Sequence, residues 1–354
     1  MTSKIQAKRF RPERSGFTLI ELLVVISIIA LLISVLLPSL SSARRMGQRG
    51  ACLATLRDIG KGMQEYAMDN DDWIVGSPDG SGAYLSTEAK GWGPAFQTWD
   101  WMGPLAEMMG LGLIKPSKGA PNEAIEKRFN DLRSSGAFLC AGNKFLSPRY
   151  SAMQCDLDAG AGWLVSYNTQ RLQLLTEASW LGSGPMGLAY LPPSGWKPLA
   201  GKIGPPAEKI FCGDGARYST CSIEPDYDIC VDASAGGSDC DAGAMTGWSR
   251  SWDRCAAPGN GGAPGDHVAG TDARIYAYRH STGIPPKGAP GNAFKASFVF
   301  YDGHVDTLGD LDSSSPYLWL PSGTRIFPST SELWPDTMGH FGLGNQVDIG
   351  QTYK

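Results

Sequence analysis

Histidine, the side chain best suited to acid–base and metal chemistry near neutral pH, is sparse in this chain, with four in all. Two of them, His280 in "RH" at 279–280 and His304 in "YDGHV" at 301–305, can be grouped with Asp302. Imidazole and carboxylate together suit zinc or a similar cation, and the same groups can shuttle a proton. The spacing does not demand either role. Asp302 with Gly303 is also a turn dipeptide, and a histidine on a strand is more often hydrogen-bonded than ligating. His267, with Asp266 and Asp272 in a glycine-rich stretch, carries no stronger signal. There is no GxSxG, no HExxH, and no phosphate-cradling glycine loop between a strand and a helix. The sequence therefore implies a non-enzyme without a cofactor, with His280, Asp302 and His304 as the candidate set should a metal bind.

Cysteine is more informative. The eight cysteines, Cys52, Cys140, Cys155, Cys212, Cys221, Cys230, Cys240 and Cys255, all follow the apolar run described below. None has CxxC spacing, which disfavours zinc and points to disulfides in an oxidising compartment. Cys140, Cys155, Cys212, Cys221, Cys230, Cys240 and Cys255 are the disulfide candidates, and the sequence selects no pairing among them. Cys52 reads as a small buried residue. Eleven tryptophans include Trp92, Trp99 and Trp101 in one Gly/Pro-rich stretch, and Trp248 and Trp252 in the cysteine-rich one. They fill a core or, if exposed, stack on sugars or anchor a partner.

One carboxylate is harder to explain. From Phe17 to Leu37 the only ionisable side chain is Glu21, in a run long enough to cross a bilayer core of roughly 30 Å as a helix. Lys4, Lys8, Arg9, Arg11 and Arg14 precede it against Glu13 alone. The positive-inside rule then keeps residues 1–16 cytoplasmic and sends the remainder outward. Removing that basic segment leaves a chain more acidic than its overall formal charge of −4, and no basic stripe follows, so nucleic acid is a poor partner. A cleavable secretory signal, with "SSA" at 41–43 as its cleavage site, would have a shorter apolar core. A plain anchor leaves Glu21 unexplained at about 2.5–3.5 kcal/mol on insertion scales.

The string "SGFTLIELLVVISIIALLISVLLP" from Ser15 to Pro38 resembles the N-terminal signature of type IV pilins and the pseudopilins of type II secretion. The resemblance implies cleavage between Gly16 and Phe17 by a prepilin peptidase, with N-methylation of Phe17. It also implies partners: other pilin or pseudopilin subunits, an inner-membrane assembly platform and membrane lipid. Within a filament, Glu21 of one subunit would neutralise the Phe17 ammonium of a neighbour, because a paired charge is tolerable away from water and a lone one is not. A Glu that snorkels or stays protonated near the interface is the plainer alternative. The implied location is the inner membrane, single-pass, with the N-terminus cytoplasmic and the head outside.

The implied organisation is a leader at 1–16, a transmembrane helix at 17–37, a stem at 38–72 and a head at 73–354 with a Cys/Gly-rich insertion at about 212–270. In the stem, Cys52, Leu56, Ile59, Met63 and Tyr66 form an apolar stripe at helical spacing. "DNDD" at 69–72 ends the helix as solvated loop residues, with calcium binding the sharper reading. Candidate strands are 136–140, 162–168, 208–212 and 274–280. "KASFVFYDGHVDTL" at 295–308 reads as a hairpin with a two-residue turn at Asp302–Gly303. The expected fold is α+β and pilin-like, a long N-terminal helix packed on an antiparallel sheet.

These head elements resemble, more weakly, a large-headed pilin-like family with a strand ending in Cys, a Ser-Tyr-x-Asn-like stretch, and Arg-His followed by Asp-Gly-His-Val. The counterparts are Cys140, "SYN" at 166–168, Arg279–His280 and 302–305. Ala141 replaces the usual proline, and "GIPPKGAPG" at 283–291 lengthens the connection between His280 and Asp302. The functional expectation is a structural filament subunit of a pseudopilus or pilus. The alternative is a surface-displayed head that binds glycan or an exported protein.

Overall fold

Thr18 opens the first helix, α1, which runs Leu19–Asp69 as 51 residues with Pro38 inside it. The structure, a computed structural model, describes residues 18–77, 101–112, 131, 135–143, 146–147, 162–163, 166–178, 190–215, 239–240, 278, 280–281, 291–327, 335–343 and 347–349. The chain divides into two compact units, 1–46 and 47–354.

In the first unit the apolar side chains from Leu19 to Leu40 are exposed. Among the described residues this is the helix long and apolar enough to cross a membrane. Four of its hydroxyls are satisfied locally: Ser27, Ser34, Ser39 and Ser41 each donate to the carbonyl three residues earlier. That arrangement lets serine sit in an apolar environment without an orphaned donor.

In the second unit α1 becomes one-sided. Cys52, Leu56, Ile59, Met63 and Tyr66 are all buried, the stripe the helical period marks out. Asn70 Nδ2 donates to the Tyr66 carbonyl at 2.9 Å and helps close the helix end. Asp71 and Asp72 then adopt positive φ, 51° and 69°, a conformation Asp tolerates better than most residues. Asp72 is more than a solvated loop residue: its carboxylate accepts the Gly201 N–H at 2.9 Å, and its carbonyl accepts the Ala200 N–H.

The described head contains strands β1 (Leu146–Ser147), β2 (Gly162–Trp163), β3 (Tyr167–Gln170), β4 (Tyr190–Leu191), β5 (Ile210–Asp214), β6 (Asp239–Cys240), β7 (Lys295–Phe300), β8 (Val305–Gly309), β9 (Arg325–Ile326) and β10 (Val347–Asp348). Short helices are α2 (Met102–Met108), α3 (Pro316–Trp319) and α4 (Pro335–His340). The main sheet has the order β6-β3-β5-β7-β8, antiparallel except for β6, which joins β3 in parallel. β7 is buried from Ala296 through Phe300, so it is covered on both faces, whereas β8 has exposed positions as befits an edge strand. One difference from the sequence reading stands out: residues 136–138 form a 3-10 turn before extended backbone at Leu139. Most of the candidate strand at 274–280 lies outside the described residues.

The β7–β8 hairpin also differs in its turn. Phe300 donates to the His304 carbonyl and Gly303 donates to the Phe300 carbonyl, which makes a three-residue loop. Gly303 alone carries positive φ, 83°, while Asp302 is not among the positive-φ residues. A two-residue type I′ turn would need both; the observed loop is a type I turn closed by a left-handed glycine. Asp302 Oδ1 accepts the His304 N–H at 3.0 Å and so favours this turn.

This turn docks on the stem. Gln64 Nε2 donates to the Tyr301 carbonyl at 3.2 Å. A Cβ added at Gly60 would lie 2.6 Å from Val299 Cγ2 and 3.2 Å from Gly303 Cα. We expect Gly60→Val to destabilise the head by about 2–3 kcal/mol through overpacking against backbone that cannot retreat. Gly50→Ala, at a helix position with nothing within 4 Å, gains up to about 1 kcal/mol of helix propensity instead. Urea unfolding of both variants checks the contrast, and equal effects would refute tight docking at Gly60.

Lys209 gives a pH-dependent expectation. It is buried, and its Nζ donates to the carbonyls of Tyr317 at 2.6 Å and Leu320 at 2.8 Å, at the end of α3. Burial pushes its pKa from 10.5 down to about 8, with Glu208 partly opposing. Between those values the unfolded chain holds more protons than the folded one, so stability rises with pH across that window and is lost as pH falls towards 8. At about 1.4 kcal/mol per pKa unit, the wild type gains up to about 3 kcal/mol relative to Lys209→Met between pH 8 and 10.5. Parallel pH dependences of the two proteins would refute this.

Candidate functional site

Among the described residues, two places concentrate chemistry. The first is the start of α1. Thr18 is its N-cap, and Glu21 is the third helical residue. Glu21 Oε2 accepts from Thr18 N–H at 2.9 Å and from Thr18 Oγ1 at 2.8 Å, while Glu21 N–H donates to Thr18 Oγ1 at 3.2 Å. This reciprocal pattern is a capping box. Glu21 therefore has an intrachain role that the sequence reading did not include. Both bonds to the carboxylate fall on Oε2, so a carboxylate's further acceptor capacity on Oε1 is available to another group. Gly16 and Phe17 lie outside the described residues.

The second place is buried in the head. Four segments converge there: α1 supplies Cys52, the turn after Phe138 supplies Cys140, the end of β5 supplies Asp214, and the segment before β7 supplies His280. Cys52 and Cys140 form a disulfide, with Cα atoms 4.9 Å apart. His280 Nε2 lies 2.9 Å from Asp214 Oδ2 and 3.4 Å from Cys140 Sγ. Asp214 Oδ2 also accepts the Ser297 N–H at 2.9 Å, and Cys140 Sγ accepts the Gly142 N–H at 3.4 Å. His280 is held by its own backbone, its N–H donating to the Lys295 carbonyl, and Ser281 Oγ accepts from Lys295 N–H. The side chains of His280 and Asp214 are 2% and 0% exposed, so bulk solvent does not reach the pair.

The sequence candidates sort as follows. His280 joins Asp214 and Cys140, not Asp302 and His304. The latter two pair with each other at the exposed hairpin turn, where His304 also stacks on Phe300 at 4.1 Å. Cys140 is bonded as expected, but to Cys52, which the sequence reading took for a small buried residue. Cys212, counted among the disulfide candidates, is a buried free thiol. It shares a face of β5 with Asp214, and burial, then the Asp214 carboxylate, push its pKa well up. Tyr301 is likewise pushed up by burial and by Cys212. The side chain of Cys240 and all of Cys155, Cys221, Cys230 and Cys255 lie outside the described residues, as does Arg279.

The "SYN" stretch is structural. Ser166 Oγ accepts from Asn143 Nδ2 at 2.9 Å, and Ser166 N–H donates to the Phe138 carbonyl. Trp101, Trp196 and Trp319 are buried; Trp101 packs edge-on against Phe138 and Phe211. Trp92, Trp99, Trp248 and Trp252 fall outside the described residues. Sequence reasoning missed Asp214 and the partner of Cys140. The candidate strand at 208–212 stops short of Asp214, which the observed β5 includes, and nothing local ties Cys212 or Asp214 to residue 52 or 280.

Comparison with known proteins bears on the first place. Residues 11–37 match the family described as the prokaryotic N-terminal methylation motif. The chain carries a prokaryotic N-terminal methylation motif. The type IV wide pilus major component PilA4 of Thermus thermophilus is similar, 47% identical over 58 residues, which is 16% of this chain and 44% of that protein. The present chain thus spans less than half the length of this pilin relative. No solved structure matches. The motif, the exposed apolar helix and the helix-on-sheet head together make the chain pilin-like, and the apolar helix fits a membrane anchor.

Proposed function

We propose that this chain is a non-enzymatic, pilin-like filament subunit of a type II secretion pseudopilus or a type IV pilus-like filament. It is inserted with residues 1–16 in the cytoplasm, cut between Gly16 and Phe17 by a prepilin peptidase, methylated at Phe17 and assembled from the inner membrane with other subunits. The observation that carries this reading is the run of exposed apolar side chains from Leu19 to Leu40, headed by a capped helix end with Glu21 and overlapping the methylation motif. Such a surface needs lipid before assembly and neighbouring helices after it.

Removal of the leader creates a cationic amine just ahead of the α1 N-terminus, where the helix dipole disfavours positive charge. A carboxylate from the next subunit would offset this, and Glu21, whose Oε1 is left over by the capping box, is our candidate to supply it. The test is the intact mass and N-terminal sequence of the protein from its native membrane. A mature chain starting at N-methylated Phe17 is expected, and an unprocessed chain starting at Met1 would overturn the filament reading.

A further inference from the structure

The buried cluster in the head contains more chemistry than a disulfide uses. A disulfide needs no hydrogen-bond partner, yet an imidazole and a carboxylate are buried against this one, at a desolvation cost that their mutual contact must offset. The ligand-capable atoms of Cys52, Cys140, Asp214 and His280 all lie within 4.8 Å of one another.

The direction in which they point is informative. One nitrogen, His280 Nε2, faces both the Asp214 carboxylate oxygen, at 2.9 Å, and the Cys140 sulfur, at 3.4 Å. A single N–H has one proton and serves one of these acceptors well; a cation between the three serves all of them. Tetrahedral zinc with bonds of 2.0–2.3 Å sets its ligand atoms about 3.3–3.8 Å apart. The observed separations already approach that, and Gly142 N–H and Ser297 N–H stand behind Cys140 and Asp214 in the supporting positions that ligands of metal centres require.

We propose that Cys52, Cys140, His280 and Asp214 form a zinc site in the dithiol state of the protein, and that the disulfide is the alternative cross-link at the same point. Thiol–disulfide exchange with a dithiol reductant breaks the Cys52–Cys140 bond; the reductant becomes the disulfide, and both cysteines become thiols. Zinc then binds two thiolates, Nε2 of His280 and the Asp214 carboxylate, and two protons leave the thiols. Oxidation of the dithiolate by a disulfide oxidant reverses the exchange and expels the ion. In either state α1 stays tied to the head, so the stem keeps its seat whether the surroundings are reducing or oxidising. Cys212 stays outside the set.

The full-length protein in detergent tests this. After treatment with a phosphine reductant and transfer to metal-free buffer, it is titrated with Co2+ and then Zn2+. The expected result is a cobalt spectrum of four-coordinate thiolate type, displaced by zinc, in reduced protein and absent from oxidised protein. X-ray absorption of the zinc form should show a mixed shell of two sulfurs and two lighter atoms. Cys52→Ala, with the other cysteines intact, should lose the spectrum; His280→Gln and Asp214→Asn should weaken zinc binding at least tenfold; Cys212→Ala should leave it unchanged. No cobalt spectrum in the reduced wild type, a sulfur-only shell, or a spectrum that survives Cys52→Ala would each overturn the proposal. The wild-type spectrum and shell decide the matter even if a variant fails to fold.

Discussion

Cys52→Ala is expected to lower the stability of the oxidised protein by about 4–5 kcal/mol. The disulfide joins residues separated by 88 positions, and for a closed loop of that size the chain-entropy account gives a stabilisation of about 4.6 kcal/mol, realised chiefly in the unfolded state. It also fixes the stem to the turn that precedes the sheet. Cys140→Ala should cost the same, and the double variant no more than either single one, because both remove one bond. Urea unfolding followed by tryptophan fluorescence is suitable, since Trp101, Trp196 and Trp319 are buried in the head. A cost below about 1 kcal/mol for both single variants would show that Cys52 and Cys140 are not joined.

Glu21→Ala is expected to leave processing intact and to reduce recovered filaments at least tenfold. Two roles of the carboxylate must be separated. Loss of the capping box costs about 0.5–2 kcal/mol, locally, at the first turn of α1. Loss of the partner proposed for a neighbour's Phe17 amine would leave a charge buried among apolar helices, a penalty repeated at each subunit. Thr18→Ala distinguishes them, because it removes the hydroxyl that closes the box but keeps the carboxylate. The expected outcome is filament assembly close to wild type for Thr18→Ala and its loss for Glu21→Ala, with both chains N-methylated at Phe17. Equal loss in the two variants would assign Glu21 to helix capping, and normal assembly of Glu21→Ala would remove it from the assembly mechanism.

What could be read in advance divides by the range of the signal. Helix α1 was legible because its evidence is contiguous: an uninterrupted apolar run, then a stripe at Cys52, Leu56, Ile59, Met63 and Tyr66 that the structure buries. The β7–β8 hairpin was legible from its alternation and Asp302–Gly303. Its turn type was not, because Asp-Gly suits either a two-residue or a three-residue loop, and the choice follows from the bond between Asp302 and the His304 backbone. The 3-10 turn at 136–138 was read as strand because its apolar content suits either. Asp302 and His304 group with His280 because their side-chain types suit a cation, not because of spacing, and the hairpin presents them at its exposed tip.

By itself, then, the sequence determined the membrane-length helix, the buried stripe of the stem and the similarity of the N-terminus to type IV pilins. Each depends on neighbours along the chain, through helical periodicity, capping and transfer of side chains out of water. Only the tertiary structure decided which cysteine Cys140 joins and what surrounds it. Cys140 meets Cys52 across 88 positions and His280 across 140, and Asp214 arrives on a strand whose register is set by its two sheet neighbours. Contacts over such distances form when the core closes and a few buried polar groups must find one another inside it. Local spacing has no bearing on that choice.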